Sequence, residues 1–586
     1  MIKSAGIRHN RTGRIIMVKN VLYKLKGLIA VYIIMGLVSQ LMNVLSIVYF
    51  QRIIDILSEI KNKADITDYI IIPLLLYAIT TIACCILNYA DNYPSTKIEN
   101  RIYYNFKLLA IDKVSKINFL DYANYGTGKI IQIVENGSEA GKNILFGFFI
   151  EIFYSLVPGL LFSLIVLGTY SIRIMFVIGI GYVVIFIVSN LMLKKLYNIK
   201  EKVLIETEWT SNKYVRALME TMIFRVNRKY KQEKADIGKA YDEIIKSETK
   251  VVMIHEFFFA FFYLLVIFVK IIIIIMGIWK LNISLGKIVA LVMLVDNIYS
   301  PISEFNIMYV KYNLDKVAYN RYVNFLSLRD DTNLFNGIEL MEKPFKIKAV
   351  NFSAGYGRRD AVHNLSYEME AGKKYAIVGK SGAGKSTFVK TLLGIIKGTK
   401  GNLFINESDI STINLDKYYQ YISYVSQDAP IFDGTILENI TMNKEYAQEE
   451  IWRVLDMVLL KEKIEGLDKR LDTNIGEKGI KLSGGEKQKL AIARVLLQDA
   501  SVIILDEATA SMDYLSEEKV LRNLFSEKKD SLILLITHRL KAIEFVDKIF
   551  LLENGEIREE GSFAQLIKNR SNFYELWNKH AEQQMK

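Results

Sequence analysis

The sequence predicts two domains of different classes. We expect an α-helical transmembrane domain with six spans and two long cytoplasmic loops over residues 1–320, a linker over 321–342, and an α/β P-loop NTPase domain over 343–586. Three observations support this division: the chain has 586 residues, too many for one hydrophobic core; 51% of them are hydrophobic; and long apolar runs occur only in the first half. The mean hydropathy of +0.19 is also too high for an ordinary soluble enzyme.

The membrane prediction depends on the length of the apolar runs. A helix needs about 20 residues to cross the hydrocarbon layer, and each run is close to that length. After about residue 343 no comparable run recurs, and short apolar strands alternate with amphipathic, glycine-punctuated segments, as in a soluble α/β domain. The six predicted spans are 27–50, 70–90, 144–169, 174–193, 257–279 and 284–309.

The basic residues predict the orientation in the membrane, because Lys and Arg concentrate on the cytoplasmic side. Residues 1–26 hold seven Lys or Arg and no acid, 91–142 hold seven, and 194–255 hold fourteen, whereas the turns 170–173 and 280–283 hold one each. We therefore expect the N-terminus, both long loops and the C-terminal half to be cytoplasmic. The net charge of +12 follows this topology, and no aromatic and basic strand pattern indicates a nucleic-acid partner.

A phosphate-binding loop opens the C-terminal half. The short apolar strand KKYAIVG runs directly into GKSGAGKS, and helical spacing follows through Leu393. Glycines let backbone N–H groups surround phosphates, Lys385 adds positive charge beside the β- and γ-phosphates, and the Ser386 hydroxyl can bind Mg²⁺. We therefore expect ATP and Mg²⁺ here. The loop residues predicted to bind ATP are Gly379, Ser381, Gly382, Ala383, Gly384, Lys385, Ser386 and Thr387.

Four further polar side chains follow other β-type runs. SVIILDE ends in Asp506 and Glu507, which we expect to reach the metal ion and an attacking water. SLILLITH delivers His538 to the carboxyl edge, where open α/β sheets bind ligands, and Gln427 follows YISYV and could contact Mg²⁺. Alone, such a carboxylate pair is usually a solvated strand end and such a histidine structural. Their position downstream of a phosphate loop favours a site.

The order of these segments resembles the ATP-binding cassette of ABC transporters. The matching pieces are GKSGAGKS, Gln427, LSGGEKQ, ILDE and THRL, within about residues 343–580. With six spans ahead of the cassette, the whole chain resembles a half-transporter of the exporter type. The resemblance implies that Gln427 contacts ATP and Mg²⁺ and signals to the membrane domain, that Glu507 is the general base, and that His538 contacts the γ-phosphate.

The segment LSGGEKQ is a second Ser-Gly-Gly turn about a hundred residues after the phosphate loop. A helix that starts at such a turn suits an anion. The resemblance implies that Ser483, Gly484 and Gly485 bind the γ-phosphate held by a second half-transporter. It also implies that Asp513, in ATASMD where the family usually has ATSALD, mediates crosstalk between the two sites. Because these motifs are intact, a homodimer is the simplest expectation, and a partner with a degenerate cassette is the alternative.

Two isolated residues give weaker predictions. Tyr356 lies two positions later than the adenine-stacking aromatic of exporter cassettes and is our candidate for that role; the alternative is a surface turn residue. Lys270 interrupts the fifth span, where a charge costs about 3 kcal/mol, so it should face the interior. We expect it either to line the substrate cavity and favour an anionic or carbonyl-rich group, or to pair with Glu151 or Asp296.

Three segments resemble the parts of exporters that join membrane domain and cassette. A short helix around Phe119 to Tyr122 would rest on a cassette, and a second contact helix is expected near 208–220, on a loop that the family topology carries to the partner's cassette. TNIGEKG at 473–479 resembles the loop that touches such helices. The plain alternative is that both long loops are solvated extensions of the spans.

These observations favour ATP-driven export of a small molecule, lipid or peptide across a bacterial plasma membrane by a dimer that alternates its access. One alternative is a siderophore-type importer built on the exporter fold, and another is a bacteriocin-like peptide exporter without a peptidase domain. A cassette ATPase that acts on ribosomes or DNA is disfavoured by the six spans. No motif identifies the substrate.

Overall fold

A computed structural model describes residues 2–59, 63–170, 172–279, 283–356, 359–476 and 482–585. The chain separates into two compact units. The first comprises residues 1–115 and 125–328, and the second comprises 116–124 and 329–586.

Long helices build the first unit. Residues Leu145–Ile150 and Ile152–Leu156 form two π-helical segments between α5 and α6, and Pro73 and Pro301 lie inside helices α2 and α10. Buried side chains of several helices, among them Leu167, Ile273 and Leu294, form one apolar cluster. The helices of this unit are α1 (Ile2–Glu59), α2 (Lys63–Ala90), α3 (Asn92–Lys116), α5 (Thr127–Ile144), α6 (Val157–Tyr170), α7 (Ile172–Met219), α8 (Thr221–Val226), α9 (Tyr230–Trp279) and α10 (Leu285–Leu326). The short helix α4 (Phe119–Tyr125) belongs, except for its last residue, to the second unit.

Four stretches of the described residues are long and apolar enough to cross a membrane: Leu22–Glu59, Tyr69–Lys116, Thr127–Tyr170 and Tyr230–Ile278. They contain the predicted spans 27–50, 70–90 and 144–169 and nearly all of 257–279. The predicted span 174–193 lies within α7, and 284–309 begins at Ser284, the N-cap of α10, and continues in that helix; neither helix is among those four stretches. Each predicted span thus falls within helical structure.

The second unit contains two sheets. Within the described residues, β2, β1, β4 and β5 form an antiparallel sheet, and β10, β9, β3, β8, β7 and β6 form a second sheet in that order. The strands are β1 (Lys346–Tyr356), β2 (Arg359–Glu370), β3 (Lys374–Val378), β4 (Gly398–Ile405), β5 (Ser408–Asp409), β6 (Ile422–Val425), β7 (Val502–Asp506), β8 (Leu532–Ile536), β9 (Lys548–Glu553) and β10 (Glu556–Gly561).

The second sheet is parallel from β9 through β6, and only β10 runs antiparallel. Strands β3, β7, β8 and β9 are almost continuous apolar runs because both faces are buried there, as in doubly covered parallel sheets, whereas the edge strand β10 is charged and partly exposed. The surrounding helices are α11 (Lys385–Leu392), α12 (Leu415–Tyr419), α13 (Ile436–Thr441), α14 (Gln448–Met457), α15 (Lys461–Glu465), α16 (Gly484–Leu497), α17 (Tyr514–Glu527), α18 (Phe563–Asn569) and α19 (Asn572–Met585).

The linker predicted at 321–342 is not a separate segment. Helix α10 continues to Leu326, and the units divide between Leu328 and Arg329. From there the chain is part of the second unit: Leu334 and Leu340 pack against the core of the cassette half. The sequence suggested a linker because 321–342 lies between the last long apolar run and the first β-type segments, but Leu334 and Leu340 attach this stretch to the core.

Candidate functional site

The phosphate loop connects β3 to α11. Gly384, which immediately precedes α11, has φ +106°, and a Cβ there would lie 2.9 Å from the Ala361 carbonyl oxygen, so only glycine fits. Lys385 is 7% exposed, and its Nζ donates to the carbonyl oxygens of Gly379 at 2.8 Å and Lys380 at 3.2 Å. Burial lowers the pKa of the Lys385 ammonium. The loop therefore holds a partly desolvated cation at the start of a helix, which suits phosphate groups.

The remaining loop residues divide into a buried set and an exposed set. Ser386 is exposed, and so are Ser381 and Gly382. Gly379, Ala383 and Thr387 are buried and hold the loop against the sheet. Ser386 lies exposed in the first turn of α11, and its role as a Mg²⁺ ligand stays a prediction.

Neighbouring strands bring Glu507 and His538 together. Glu507 directly follows β7, and His538 follows β8, which is paired in parallel with β7. The His538 Nε2 lies 3.1 Å from the Glu507 Oε1. Because β3 pairs with the other side of β8, the phosphate loop begins at the same edge of the sheet. The predicted base and phosphate contact therefore meet beside the predicted phosphate site.

Asp506 lies at the end of β7, where Tyr424 donates to its Oδ2 at 3.4 Å. Burial, followed by the neighbouring Glu507 charge, raises the pKa of the Asp506 carboxyl. The same carboxylates interact electrostatically with Lys385. A partly buried carboxylate next to a second carboxylate supplies oxygen donors of the kind that Mg²⁺ prefers.

Gln427 follows β6, the strand beside β7, and is exposed on a turn. Across the carboxyl edge the functional segments thus follow the strand order β3, β8, β7 and β6: phosphate loop, His538, the two carboxylates and Gln427. Separate motifs in the sequence predicted these residues, and the parallel sheet brings them to one edge.

The Ser-Gly-Gly turn starts helix α16. Ser483 is its N-cap: the Ser483 Oγ accepts from the Glu486 N–H at 3.4 Å, and the Glu486 carboxylate accepts from the Ser483 N–H at 3.0 Å. Lys463 pairs with Glu486 at 2.5 Å. Ser483 and Gly484 are exposed, and Gly485 is half-buried. The turn is therefore a capped helix start that remains open to a ligand.

Two other predicted residues have structural contacts. Asp513 caps helix α17, because its Oδ1 accepts from the Ser516 N–H at 2.9 Å. Tyr356 is the last residue of β1 and is 45% exposed, with the Lys390 Nζ 3.2 Å from its hydroxyl and 5.6 Å from its ring centre. Lys390 lies on α11, so the tyrosine ring is held near the helix that follows the phosphate loop.

The sequence reasoning missed a buried network beside His538. Glu517 is 3% exposed and accepts from the Thr509 Oγ1 at 2.5 Å and from the Arg539 Nη1 at 2.8 Å. The available signal was the arginine directly after His538 in THRL. Nothing in the sequence indicated that a glutamate more than twenty residues earlier would be its partner.

The sequence predicted two short helices that contact a cassette. Helix α4 lies where the first was predicted, and Leu120 packs against the cassette core within the second unit. The second prediction, 208–220, differs: α7 runs through Met219, and the separate short helix is α8 at Thr221–Val226. Of the segment 473–479, residues 477–479 lie outside the described residues.

Lys270 forms an ion pair in the helical unit. Its Nζ lies 2.6 Å from the Asp296 Oδ1, so α9 and α10 are joined by opposite charges. Glu151, the other acid considered, instead accepts from the Tyr32 hydroxyl at 2.7 Å. Of the alternatives for Lys270, the pairing with Asp296 is the one present in the structure, and a role in the cavity stays a prediction.

Two family models match the chain. The ABC transporter transmembrane region matches residues 29–301, and the ABC transporter family matches residues 362–510. A solved bacterial Atm1-family ABC exporter with ATP bound has the same fold, with a TM-score of 0.85 at 20% identity over 95% of this chain and 99% of that chain.

Curated relatives match different parts of the chain. The iron-sulfur clusters transporter ATM1, mitochondrial, of Candida glabrata is 41% identical over 247 residues, which are 41% of this chain but only 34% of that protein's length. The transport/processing ATP-binding protein ComA of Streptococcus pneumoniae is 25% identical over 557 residues, 93% of this chain and 76% of that protein. With membrane and cassette models matched in one polypeptide, the chain belongs to the ABC transporters and is a multi-pass membrane protein with its own ATPase domain.

Proposed function

We propose that this protein is an exporter driven by ATP hydrolysis. The observation that carries the proposal is the carboxyl edge of the parallel sheet, where Glu507 and His538 lie 3.1 Å apart beside the phosphate loop. Phosphoryl transfer depends mainly on positioning and charge neutralisation, which these groups supply. The helical unit ahead of the cassette provides the transmembrane path.

Each residue takes a specific part in hydrolysis. Glu507 accepts a proton from the attacking water, and His538 contacts the γ-phosphate. Lys385 and the loop N–H groups hold the β- and γ-phosphates. Ser386, Gln427 and Asp506 would hold Mg²⁺, which neutralises developing charge when bound. Tyr356 would stack on the adenine ring.

The site is completed by a second copy of the chain. Ser483, Gly484 and Gly485 open a capped helix whose positive end suits the γ-phosphate bound by the partner, and Asp513 mediates crosstalk between the two sites, as the resemblance implies. The capped but exposed turn at Ser483 supports this arrangement. Two chains then enclose two ATP molecules and turn the cavity outward on closure. A homodimer is the simplest form.

The cassette and the N-terminus face the cytoplasm of a bacterial cell in this proposal, because the basic residues concentrate in the N-terminus and the two long loops, on the side where six spans also leave the cassette. The cargo is an amphipathic small molecule, a lipid or a peptide. The relative ComA, matched along 93% of this chain, is described as a transport and processing protein, which is consistent with transport across a membrane.

Proteoliposomes with outward-facing cassettes test the function. We would screen amphipathic dyes and short peptides for stimulation of ATPase activity and follow the strongest stimulator across the membrane. Export predicts that added ATP concentrates the compound in the lumen. Depletion of a preloaded lumen would instead establish a siderophore-type importer.

The dimer has its own test. Ser483→Arg should retain ATP binding and lose hydrolysis, because the arginine obstructs the partner's phosphate site. A mixture of Ser483→Arg and Lys385→Ala chains should then regain part of the activity, since each mixed dimer has one intact composite site. Full activity of Ser483→Arg alone would contradict the proposed arrangement.

A further inference from the structure

The signature helix α16 packs closely on the loop that follows the catalytic carboxylate of its own chain. We call residues 508–513 the D-loop. A Cβ on Gly485 would lie 2.9 Å from the Ser511 carbonyl oxygen, and one on Gly484 would lie 3.2 Å from the Ser511 Oγ. These glycines therefore allow a close backbone approach within one chain, in addition to the role toward phosphate that the sequence suggests.

Gln488 connects the two segments by hydrogen bonds. Its side chain is 3% exposed, its Oε1 accepts from the Ser511 N–H at 2.7 Å, and its Nε2 donates to the Glu507 carbonyl oxygen at 3.4 Å. The amide thus bridges the residue before the D-loop and a residue within it. Both ends of a buried amide are satisfied by the backbone of the catalytic segment.

The backbone that Gln488 holds is in an uncommon conformation. Glu507 has φ +51°, a left-handed value that costs about 1 kcal/mol or more for a residue with a side chain. Its N–H donates to the Ile536 carbonyl oxygen at 2.9 Å, which fixes it to β8. The Gln488 amide fixes the carbonyl on its other side. The direction of the Glu507 carboxylate therefore depends on contacts at both of its peptide groups.

The D-loop is also held from the opposite side. The Arg539 guanidinium donates to the carbonyl oxygens of Met512 and Ala510, each at 2.7 Å, and pairs with buried Glu517. Arg539 directly follows His538. The loop is therefore enclosed between the signature helix and the histidine segment, so that a shift of either is transmitted to it.

We propose that Gln488 is a positioning residue that couples the signature helix to the general base of the same chain. This proposal rests on the proposed dimer, and it gives helix α16 two functions. The N-terminus of the helix contacts the partner's γ-phosphate, and one turn later Gln488 orients Glu507 of the same chain. ATP in one site then influences the alignment of the base in the other.

Gln488→Leu in the full-length transporter in lipid nanodiscs tests this role. The substitution keeps the approximate volume and removes both hydrogen bonds. We expect kcat for ATP hydrolysis to fall about 10- to 100-fold, because small misplacements of a catalytic group have effects of that size. The KM for ATP should stay within about twofold, since the phosphate loop is untouched.

A second measurement separates positioning from a merely structural role. In the Glu507→Gln background, ATP should be retained through a desalting column whether or not Gln488→Leu is also present, because the N-terminus of the helix still closes on the partner's phosphate. Loss of retention only in the double variant would mean that Gln488 simply maintains the helix, and it would overturn the proposal. If Glu507→Gln alone retains no ATP, that result contradicts the proposed dimer. The kcat of Gln488→Leu then still tests whether Gln488 positions Glu507.

The conservative variant Gln488→Glu gives a pH signature. A protonated carboxyl can replace the amide and donate to the Glu507 carbonyl oxygen, whereas a carboxylate there is repelled by it. Activity relative to wild type should therefore rise as the pH falls. A flat ratio, or a wild-type kcat in Gln488→Leu, would overturn the proposal.

Asn523→Leu is the matched control. It removes another amide hydrogen bond in the cassette, from the Asn523 Nδ2 on α17 to the Met457 carbonyl oxygen on α14 at 2.7 Å, and neither residue belongs to the D-loop. We expect its kcat to stay within about twofold of wild type. An equal loss in this control would attribute the Gln488→Leu result to general destabilisation and overturn the proposal.

Discussion

In the cassette, parallel strands deliver the functional side chains to one edge, whereas in the helical unit the polar groups lie at contacts between separate helices. His538 and Glu507 come from adjacent strands and lie 3.1 Å apart, so their order in the sequence becomes an order in space. Lys270 and Asp296 come from α9 and α10, and their side chains lie 2.6 Å apart. No motif indicates this contact, which was only one of the alternatives that the sequence left open. Motif spacing therefore identifies a site where a sheet edge collects the motifs, and it identifies little in a helical bundle.

Removal of the general base should have the largest effect. Glu507→Gln is expected to lower ATPase kcat about 1,000-fold, within the range of general-base catalysis, because the amide cannot accept the proton from water. ATP binding, measured with radiolabelled nucleotide, should persist. Brisk turnover by this variant would contradict the assignment of Glu507. It would also weaken the conclusion that motifs identify site residues in the cassette better than in the helical unit.

The ion pair of the helical unit gives the next largest effect. Lys270→Met leaves Asp296 without its partner within a predicted span, and we expect a loss of about 3 kcal/mol in stability, the cost of an unpaired charge at that depth. The measurement is the thermal midpoint of the nucleotide-free protein in detergent. Transport should change together with stability.

The double variant Lys270→Met/Asp296→Leu is the control for this pair. Removing both charges should restore most of the stability, because a paired charge and a well-packed apolar pair are nearly equivalent. If Lys270→Met is as stable as wild type but no longer transports or responds to substrate, the lysine acts on the cargo in the cavity instead.

The same contrast explains how much could be predicted from the sequence. The helical and α/β halves and the positions of the phosphate loop, Asp506, Glu507 and His538 follow from local patterns, because strand, loop and helix are adjacent in the chain. The contacts of Gln488 and Arg539 do not, since they join segments that only folding brings together. The start of helix α8 at Thr221 was missed because α7 continues through the charged region without a stop signal.

Tyr356→Ala should have a smaller effect on the cassette. Loss of an aromatic ring that stacks on a base weakens binding by about 10-fold or more, so the Kd for ATP should rise while kcat changes little. Tyr356→Phe is the control: it keeps the ring and loses only the contact between the hydroxyl and Lys390. Equal affinity in all three proteins would identify Tyr356 as a surface residue, as the alternative interpretation holds.

The smallest effect concerns Asp506. Its carboxylate forms no ion pair with Lys or Arg among the described residues, unlike Asp296, which pairs with Lys270. Burial and the Glu507 charge raise the pKa of Asp506 above its ordinary value of 3.8, so the folded protein binds the proton more tightly than the unfolded chain. The stability contribution of Asp506 is therefore greatest at low pH and falls as the pH rises through the raised pKa.

Asp506→Asn should thus have a higher thermal midpoint than wild type in EDTA at neutral pH, and the difference should shrink on acidification. Mg²⁺ with ATP should reverse the order, because only the carboxylate is a strong metal ligand. A variant no more stable than wild type at neutral pH would show that Asp506 is already compensated, as Lys270 compensates Asp296.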